Sequence, residues 1–141
     1  MLDGKIAGAS VFSWLTKSRL QTARAFVEAM NARDFAQIEN YLTEDVRFID
    51  NSSRELQGSD NCLELLQRLL ATAPDLQIEI RAIVERGDDI LISGRSRTST
   101  AELRGASQWR AKVGGGKIIE WQMYSNRLTP SLILLLMKDE S

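Results

Sequence analysis

The sequence predicts an α+β fold. The first half of the chain repeats its apolar residues at helical spacing, whereas the second half alternates apolar and polar residues as strands do. Because the helices come first and the strands follow in a block joined by glycine turns, an antiparallel meander is favoured over a parallel α/β sheet. We expect a curved, mostly antiparallel sheet wrapped around three N-terminal helices. The 141 residues fit one domain, 18–141, after an N-terminal extension at 1–17.

The first half of the chain contains the three predicted helices. Helical spacing begins at Ser18 and breaks at Asn31, and a short second helix covers 35–42. Ser59 or Asp60 is the expected N-cap of the third helix. The apolar stripe of the third helix is formed by Leu63, Leu66, Leu69 and Leu70, and Pro74 ends the helix.

Strand patterns occupy the remaining segments. In the stretch 45–50, Val46, Phe48 and Asp50 share one face, and a polar loop follows at 51–58. The alternating segments of the second half cover 76–84, 90–98, 103–113 and 117–126. In the first of these segments, one apolar face is formed by Leu76, Ile78, Ile80, Ala82 and Val84. A hairpin turn at 114–116 joins the last two. Thr129 and Pro130 are expected to begin a short C-terminal helix.

Composition excludes several kinds of site. The chain has no histidine, so Ser-His and Cys-His pairs, a histidine base and imidazole metal sites are excluded. With one cysteine, Cys62, an internal disulfide is impossible and we expect a small buried side chain. A net charge of −1 argues against nucleic-acid binding. We therefore predict a cytoplasmic protein with no cofactor, no metal and no membrane attachment.

Two stretches follow the order and spacing of a known family. They are FVEAMNARDFAQIENYLTEDVRFID in the first half and GGGKIIEWQMYSNRL in the second. Over about residues 18–136 the chain resembles the nuclear transport factor two-like superfamily, especially its SnoaL-like branch. The resemblance implies a cone with a pocket at its open end, and often a dimer formed through the outer sheet face. It also implies several possible functions, among them ketosteroid isomerase, polyketide cyclase, epoxide hydrolase, dehydratase and non-enzymatic binding module.

Asp50 is the principal candidate for a catalytic residue. Its position on the apolar face of its strand predicts a raised pKa, which suits a general base. The resemblance places the proton-shuttling aspartate of ketosteroid isomerases at this point. The alternative is a strand-end residue that caps or pairs within the following loop.

The other groups of the isomerase site are incomplete. The resemblance places Phe26 where a tyrosine donor is expected and Ser107 near the position of an acidic donor. Asn126 stands where related hydrolases and cyclases have an aspartate, and an amide cannot act as a base near neutral pH. Ser107 and Asn126 therefore remain weak candidates for stabilising an oxyanion.

Aromatic and sulfur-containing side chains are expected to line an apolar pocket. The predicted lining residues are Phe26, Met30, Phe48, Trp109, Trp121, Met123 and Tyr124. Strand alternation groups Trp121 and Met123 with Ile119, and it places Tyr124 with Asn126 on the opposite face unless a bulge intervenes. Ordinary core packing would explain the same pattern. Gly94 and Gly105 fall on the inward face, where a missing side chain leaves room.

Basic and apolar segments allow further interactions. Arg95, Arg97, Arg104, Arg110 and Lys112 are expected to pair with glutamates at 79, 85, 102 and 120, or to contribute to a dimer interface. The all-apolar segment 132–137 must cover either the pocket or a partner chain.

These patterns predict a small-molecule-binding protein with a hydrophobic pocket, forming a homodimer through the outer sheet face. The alternative is an isomerase, cyclase or dehydratase that acts on an apolar carbonyl compound with Asp50 as general base. A protein-protein adaptor that uses the outer sheet face is a third possibility.

Overall fold

The computed structural model describes residues 18–125 and 131–137. Predictions about 1–17 and about Asn126 lie outside these residues, and the boundary between extension and domain stays a prediction. Within the described residues, no helix is both long enough and apolar enough to cross a membrane.

Three helices form the first layer, as predicted. Helix α1 (Arg19–Ala32) begins with a capping box in which the Ser18 side chain accepts from the Gln21 backbone. Arg33 ends it in the left-handed conformation with φ 58°, and Asp34 caps the next helix, α2 (Phe35–Tyr41). Helix α3 (Ser59–Thr72) was expected to have a side-chain cap. Instead, Gly58 occupies the cap position with φ 100° and no side-chain hydrogen bond, because a residue without Cβ adopts this conformation at low cost.

A six-stranded, open and curved sheet forms the second layer. Its strands are β1 (Leu42–Ile49), β2 (Glu55–Gln57), β3 (Gln77–Arg86), β4 (Asp89–Arg97), β5 (Gly105–Gly114) and β6 (Lys117–Ser125). The spatial order is β2-β1-β6-β5-β4-β3, in which β1 and β6 are parallel and the other neighbours antiparallel. The predicted α+β class and curved, mostly antiparallel sheet are confirmed.

Two short elements differ from the prediction. Strand β2 lies within the segment predicted to be a polar loop and pairs with the end of β1. Strand β5 was predicted to begin at residue 103 but begins at Gly105, because a single 3₁₀ turn occupies Ala101–Leu103 before it. Three-residue elements bury too little to leave a periodic pattern in the sequence.

Bulges shift the inward and outward alternation in two strands. In β3, Ile80 pairs with Gly94 but Ala82 pairs with Ser93, so Arg81 is an extra residue. After this point Ile83 is half-buried, whereas Val84 is 52% exposed, contrary to the predicted alternation. A continuous period of two would require an unbroken ladder, and the bulge breaks it.

The bulge in β6 has the same effect. Val113 pairs with Ile118 and Lys112 with Glu120, which leaves Ile119 unpaired. Ile118 is therefore fully buried and Ile119 is 42% exposed, so the predicted grouping of Ile119 with Trp121 and Met123 is wrong.

Helix α4 (Leu132–Met137) packs against α3 and completes the core. It begins two residues later than the Thr129-Pro130 start that the sequence suggested, and both of those residues lie outside the described part of the chain. Leu132 and Leu136 are buried, whereas Leu134 and Leu135 are 45% and 38% exposed. One side of this all-apolar segment thus faces the protein and another faces outward.

Candidate functional site

An apolar cavity of about 80 Å³ lies between the concave face of the sheet and the helices. Its walls come from β1 and β3 to β6, from α1 and α3, and from α4, which contributes Leu132 and Leu135. The polar side chains on the lining are Asn51, Ser96, Glu102, Arg104 and Ser107. The cavity therefore combines an apolar interior with a few polar groups, as ligand sites do.

Most of the predicted lining residues reach this cavity. They are Met30, Phe48, Trp109, Trp121 and Met123, together with the candidate donor Ser107. These residues come from four different elements of the sequence. The curvature of the sheet brings them around one space.

Two predicted lining residues lie elsewhere. Phe26 packs edge-on against Trp121 with ring centroids 5.0 Å apart, and it borders a separate void of about 20 Å³. Tyr124 is 43% exposed and lines an outer depression with Arg81 and Gln108. Tyr124 could line the cavity only if a bulge lay between Trp121 and Tyr124. The bulge in β6 lies before Trp121, so the alternation after Trp121 is regular and Tyr124 points outward, contrary to the prediction.

Gly94 was expected to leave room for the cavity, but the structure shows that it permits a close contact between two strands. A Cβ on Gly94 would lie 2.0 Å from the Glu79 carbonyl oxygen. The missing side chain therefore permits the close approach of β3 and β4 beside the bulge, rather than adding room to the cavity.

Asp50 is buried, but its carboxylate is fully engaged by nearby donors. Oδ1 accepts from the backbone N–H groups of Ser52 at 2.8 Å and Arg54 at 3.0 Å. Oδ2 accepts from the Ile133 N–H at 3.0 Å and from the hydroxyl of Ser131. The four donors come from the loop after β1 and from the start of α4, which are remote in sequence.

This arrangement lowers the pKa of Asp50. Burial alone raises the pKa, but the hydrogen bonds from Ser131, Ile133, Ser52 and Arg54 favour the charged form and outweigh it. The expectation of a raised pKa considered only the apolar neighbours on the strand and is not met. A low pKa makes Asp50 a weak base and a good anionic cap for the α4 N-terminus.

Asp50 and its neighbour hold α4 in place. Ser131 and Ile133 at the start of α4 both donate to Asp50. Between them, the Leu132 N–H donates to the Asn51 side chain at 3.1 Å. Ser131 accepts from the Leu134 N–H at 3.2 Å, which caps the helix. At the other end, the Arg68 guanidinium donates to the Leu136 carbonyl at 2.9 Å. Helix α4 is thus fixed at both ends over the cavity that Leu132 and Leu135 line.

Several residues of this site were not predicted from the sequence. Ser131, Leu103 and Glu102 belong to the site only through tertiary contacts, and no local sequence pattern predicts such contacts. Glu102 is the carboxylate on the cavity lining among the described residues, and it is exposed. Of the weak catalytic candidates, Ser107 lines the cavity and Asn126 lies outside the described part of the chain.

Other reactive groups are placed away from the cavity. Cys62 is buried, and burial raises the pKa of its thiol to about 11, as expected for an inert side chain. No three His, Cys, Asp or Glu side chains among the described residues are grouped so as to hold a metal ion.

The outer face of the sheet carries a connected set of ion pairs. Glu120 is 2% exposed and pairs with both Arg47 and Arg110. Asp89 lies 3.2 Å from both Arg110 and Lys112. The expected pairing of Arg110 with Glu120 is confirmed, and so is that of Arg97 with Glu79 at 3.5 Å. Glu85 instead pairs with Arg19 of α1.

Comparison with known proteins agrees with this architecture. The family model of the SnoaL-like domain matches residues 23–121, more than half of the chain. No curated protein matches the sequence.

Solved structures with the same fold come from several bacteria. A cystatin-fold protein of Novosphingobium aromaticivorans, which is uncharacterised, has a TM-score of 0.67 and 19% identity, covering 77% of this chain and 98% of its own. A proposed ketosteroid isomerase of Kribbella flavida has a TM-score of 0.66 and 19% identity, covering 79% and 80%. An LEH-like epoxide hydrolase of M. tuberculosis has a TM-score of 0.64 and 20% identity, covering 74% of this chain and 80% of its own. At these identities the similarity concerns the fold.

Proposed function

Because this chain belongs to the SnoaL-like domain family, we propose that it binds a small apolar molecule in the cavity beneath α4. The observation that carries the proposal is the cavity itself, with Trp109, Trp121 and Met123 on one wall and few polar groups at its edge. Burial of an apolar ligand against such walls is favourable because it removes nonpolar surface from water.

The size of the cavity implies that α4 moves on binding. A dry cavity of about 150 Å³ lined by apolar side chains can hold benzene. The present cavity, about 80 Å³, is smaller. Leu132 and Leu135 are its lining residues on α4, and Leu135 is partly exposed. Displacement of this short helix is the simplest way to admit a larger molecule.

In this proposal Asp50 is a positioning residue. Its carboxylate fixes the start of α4 through Ser131 and Ile133, and both oxygens are already engaged. The competing hypothesis is proton transfer by Asp50 on an apolar carbonyl compound. That hypothesis requires a carboxylate directed at the ligand, whereas the lining carboxylate among the described residues is Glu102.

A thermal-shift experiment tests ligand binding in the cavity. Cyclohexanone, 2-tetralone and a steroid ketone are added to the wild type and to two variants of the half-buried lining residue Ser107. Ser107→Leu fills the cavity, whereas Ser107→Ala keeps it open and removes only the hydroxyl. A ligand in the cavity raises the Tm of the wild type and of Ser107→Ala by mass action, and Ser107→Leu loses the shift. Equal shifts in all three proteins would place binding elsewhere, and no shift with any compound would contradict the proposal.

The enzymatic hypothesis has a separate readout. In heavy water, a general base next to a bound ketone exchanges the hydrogens on the adjacent carbon, which NMR detects. We expect no exchange above the buffer rate with 2-tetralone. If exchange occurs, Asp50→Asn and Glu102→Gln identify the carboxylate responsible, and the protein is an enzyme.

We also propose that two copies associate through the outer face of the sheet in the cytoplasm. Exposed Tyr124 and Val84 supply apolar surface there, beside exposed Arg81 and Gln108. Light scattering during gel filtration should then give about twice the 15.8 kDa of one chain, and Tyr124→Asp should give the single-chain mass. A wild-type protein that elutes with the mass of one chain would contradict this proposal.

A further inference from the structure

We propose that the ligand of the apolar cavity is elongated and that its straight alkyl end occupies the small void beside Cys62, one helical turn deeper in the protein. This inference rests on the proposed binding function and names the class of the ligand: an apolar molecule that ends in an unbranched chain. The void has a volume of about 20 Å³, which is enough for one water-sized group such as a methyl.

The void and the apolar cavity share three wall residues. Phe48, Leu66 and Trp121 line both spaces, and all three side chains are buried. Side chains in a packed core still change rotamer, although the time-averaged core is dense. Leu66 is the aliphatic residue of the three, so a rotamer change of this side chain is the simplest way to connect the cavity with the void.

Three elements place the void deeper along one direction. On α1, Met30 lines the cavity and Phe26, one turn earlier on the same face, lines the void. On α3, Cys62 lines the void one turn before the shared leucine. On β1, Val46 lines the void two residues before the shared phenylalanine, on the same face of the strand. The void therefore continues the cavity by about one helical turn, roughly 5 Å.

The opposite end of the cavity is open. Ser96 and Arg104 line both the cavity and a groove that opens widely to solvent. Helix α3 shows the same order, because Cys62 lines the void, Leu69 lines the cavity, and Asp75, just after the helix, lines the groove. The three spaces thus narrow from solvent toward Cys62. An elongated molecule that follows them has its wide end toward solvent and its narrow end in the void.

The void favours a nonpolar group. Among the described residues, its lining side chains are apolar except for Arg47 and Cys62, and the Arg47 guanidinium pairs with Glu120 on the outer face. Burial raises the pKa of the Cys62 thiol to about 11, so the thiol stays uncharged. A water molecule in so small a space needs two or more polar partners, whereas a methyl group needs none. An alkyl end therefore gains apolar burial there without losing hydrogen bonds.

Isothermal titration with two ketones of the same composition tests the inference. 2-Nonanone ends in a straight chain, whereas its isomer 6,6-dimethyl-2-heptanone ends in a tert-butyl group that is too wide for the void. Burial of one further methylene-sized group increases affinity about fourfold. The wild type should therefore bind 2-nonanone about fourfold more tightly than the isomer.

Two variants fill the void from different elements, so the test does not depend on the stability of either one. Cys62→Val adds bulk from α3, and Val46→Ile adds a methyl group from β1. In both variants the preference for 2-nonanone should disappear, while the affinity for the isomer stays unchanged. Cys62→Ala keeps the void open, and Ile90→Val removes a methyl group from a buried residue that lines neither space. Both are controls and should retain the preference.

The outcomes separate this inference from the proposed function. Equal affinities for the two isomers in the wild type would overturn the subsite and leave the cavity proposal standing. A preference that survives in both filled variants would also overturn it. If neither isomer binds, while the compounds of the thermal-shift experiment do, the cavity holds compact ligands and the inference is wrong. If no compound binds in either experiment, the proposed function fails, and the inference fails with it.

Discussion

At the scale of single residues, Asp50 shows how a buried carboxylate can be structural. Four donors surround it, two of them backbone N–H groups of the adjacent loop and two of them from the start of α4. Each hydrogen bond favours the charged form, so burial does not neutralise the side chain. The same carboxylate that the strand pattern marks as a base therefore connects two distant segments of the chain.

Replacing Asp50 should destabilise the protein in a pH-dependent way. We expect Asp50→Asn to lower the free energy of unfolding by about 2–3 kcal/mol near neutral pH, because hydrogen bonds to a charged group are lost. The folded state holds the pKa of Asp50 below the ordinary 3.8, so its contribution is complete above that value. It is lost as the pH falls through 3.8 and then through the lower pKa of the folded state.

Urea titrations at neutral pH and near pH 3 measure this effect. The difference between wild type and Asp50→Asn should shrink at the lower pH. Asp45→Asn, exposed on the strand β1 that ends just before Asp50, is the matched control and should change stability by less than about 0.5 kcal/mol. A constant difference across this range would show that the charge of Asp50 does not stabilise the fold.

Gly94 illustrates a second residue-scale constraint. The Glu79 carbonyl oxygen occupies the place that a Cβ would need, so Gly94→Ala forces the two strands apart beside the bulge. We expect a loss of about 3 kcal/mol in the free energy of unfolding, since backbone cannot move aside as a flexible side chain can. Ser93→Ala, the neighbouring change in β4, should cost far less. Equal Tm values for Gly94→Ala and wild type would contradict the close contact.

At the scale of elements, α4 is the part of the fold best placed to move. It has six residues, which is too short to be stable by itself, and it depends on contacts at both ends. Ser131 caps its start, and Arg68 holds its last turn through the Leu136 carbonyl. Two of its leucines lie over the cavity, so the stability of this element and access to the cavity are coupled.

Loosening the start of α4 should increase local opening without unfolding the protein. In Ser131→Ala the bond to Asp50 and the cap to Leu134 are both lost, at a cost of about 1–2 kcal/mol. Hydrogen exchange followed by mass spectrometry should show faster exchange in 132–137, whereas the strands β4 and β5 should keep their protection. Thr43→Ala, a hydroxyl deletion at the far end of β1, provides the control. Unchanged exchange in α4 would mean that Ser131 does not hold the helix.

At the scale of the whole molecule, the parallel pairing of β1 with β6 joins the two halves of the chain. Strands β1 and β6, the first and last among the described residues, lie side by side, and the antiparallel meander extends from one side of this junction. Glu120 crosses the junction on the outer face, where it pairs with Arg47 of β1 and Arg110 of β5. Burial raises the pKa of Glu120, but the two guanidinium groups outweigh burial and lower it.

Removing the charge of Glu120 should weaken this junction. Glu120→Gln leaves Arg47 and Arg110 without their shared anion, and we expect a loss of about 2 kcal/mol, less than for a fully buried pair because Arg47 is partly exposed. Urea denaturation measures the loss, with Glu39→Gln on exposed α2 surface as the control. Equal destabilisation by both variants would show that the pairing across β1, β6 and β5 adds no stability.

Much of the fold could be predicted because its signals are local. The helical spacing of α1 and α3, the alternation in β4 and the glycine turn before β6 each depend on residues within one turn or one strand. The bulges in β3 and β6 could not be predicted, since the extra residue is defined only by the partner strand. That is why the orientations of Ile119 and Val84 were wrong while the strands themselves were right.

The sequence by itself determined the fold class, the family pattern and the set of apolar side chains from which the cavity is built. It also excluded histidine chemistry, because that depends on composition alone. Only the tertiary structure decided what these residues do: that Asp50 binds α4, that Phe26 packs behind the cavity and that Glu102 and Arg104 lie at its edge. Local propensities fix each element from its own residues, whereas the surroundings of a side chain depend on segments that meet only when the sheet curls around the helices.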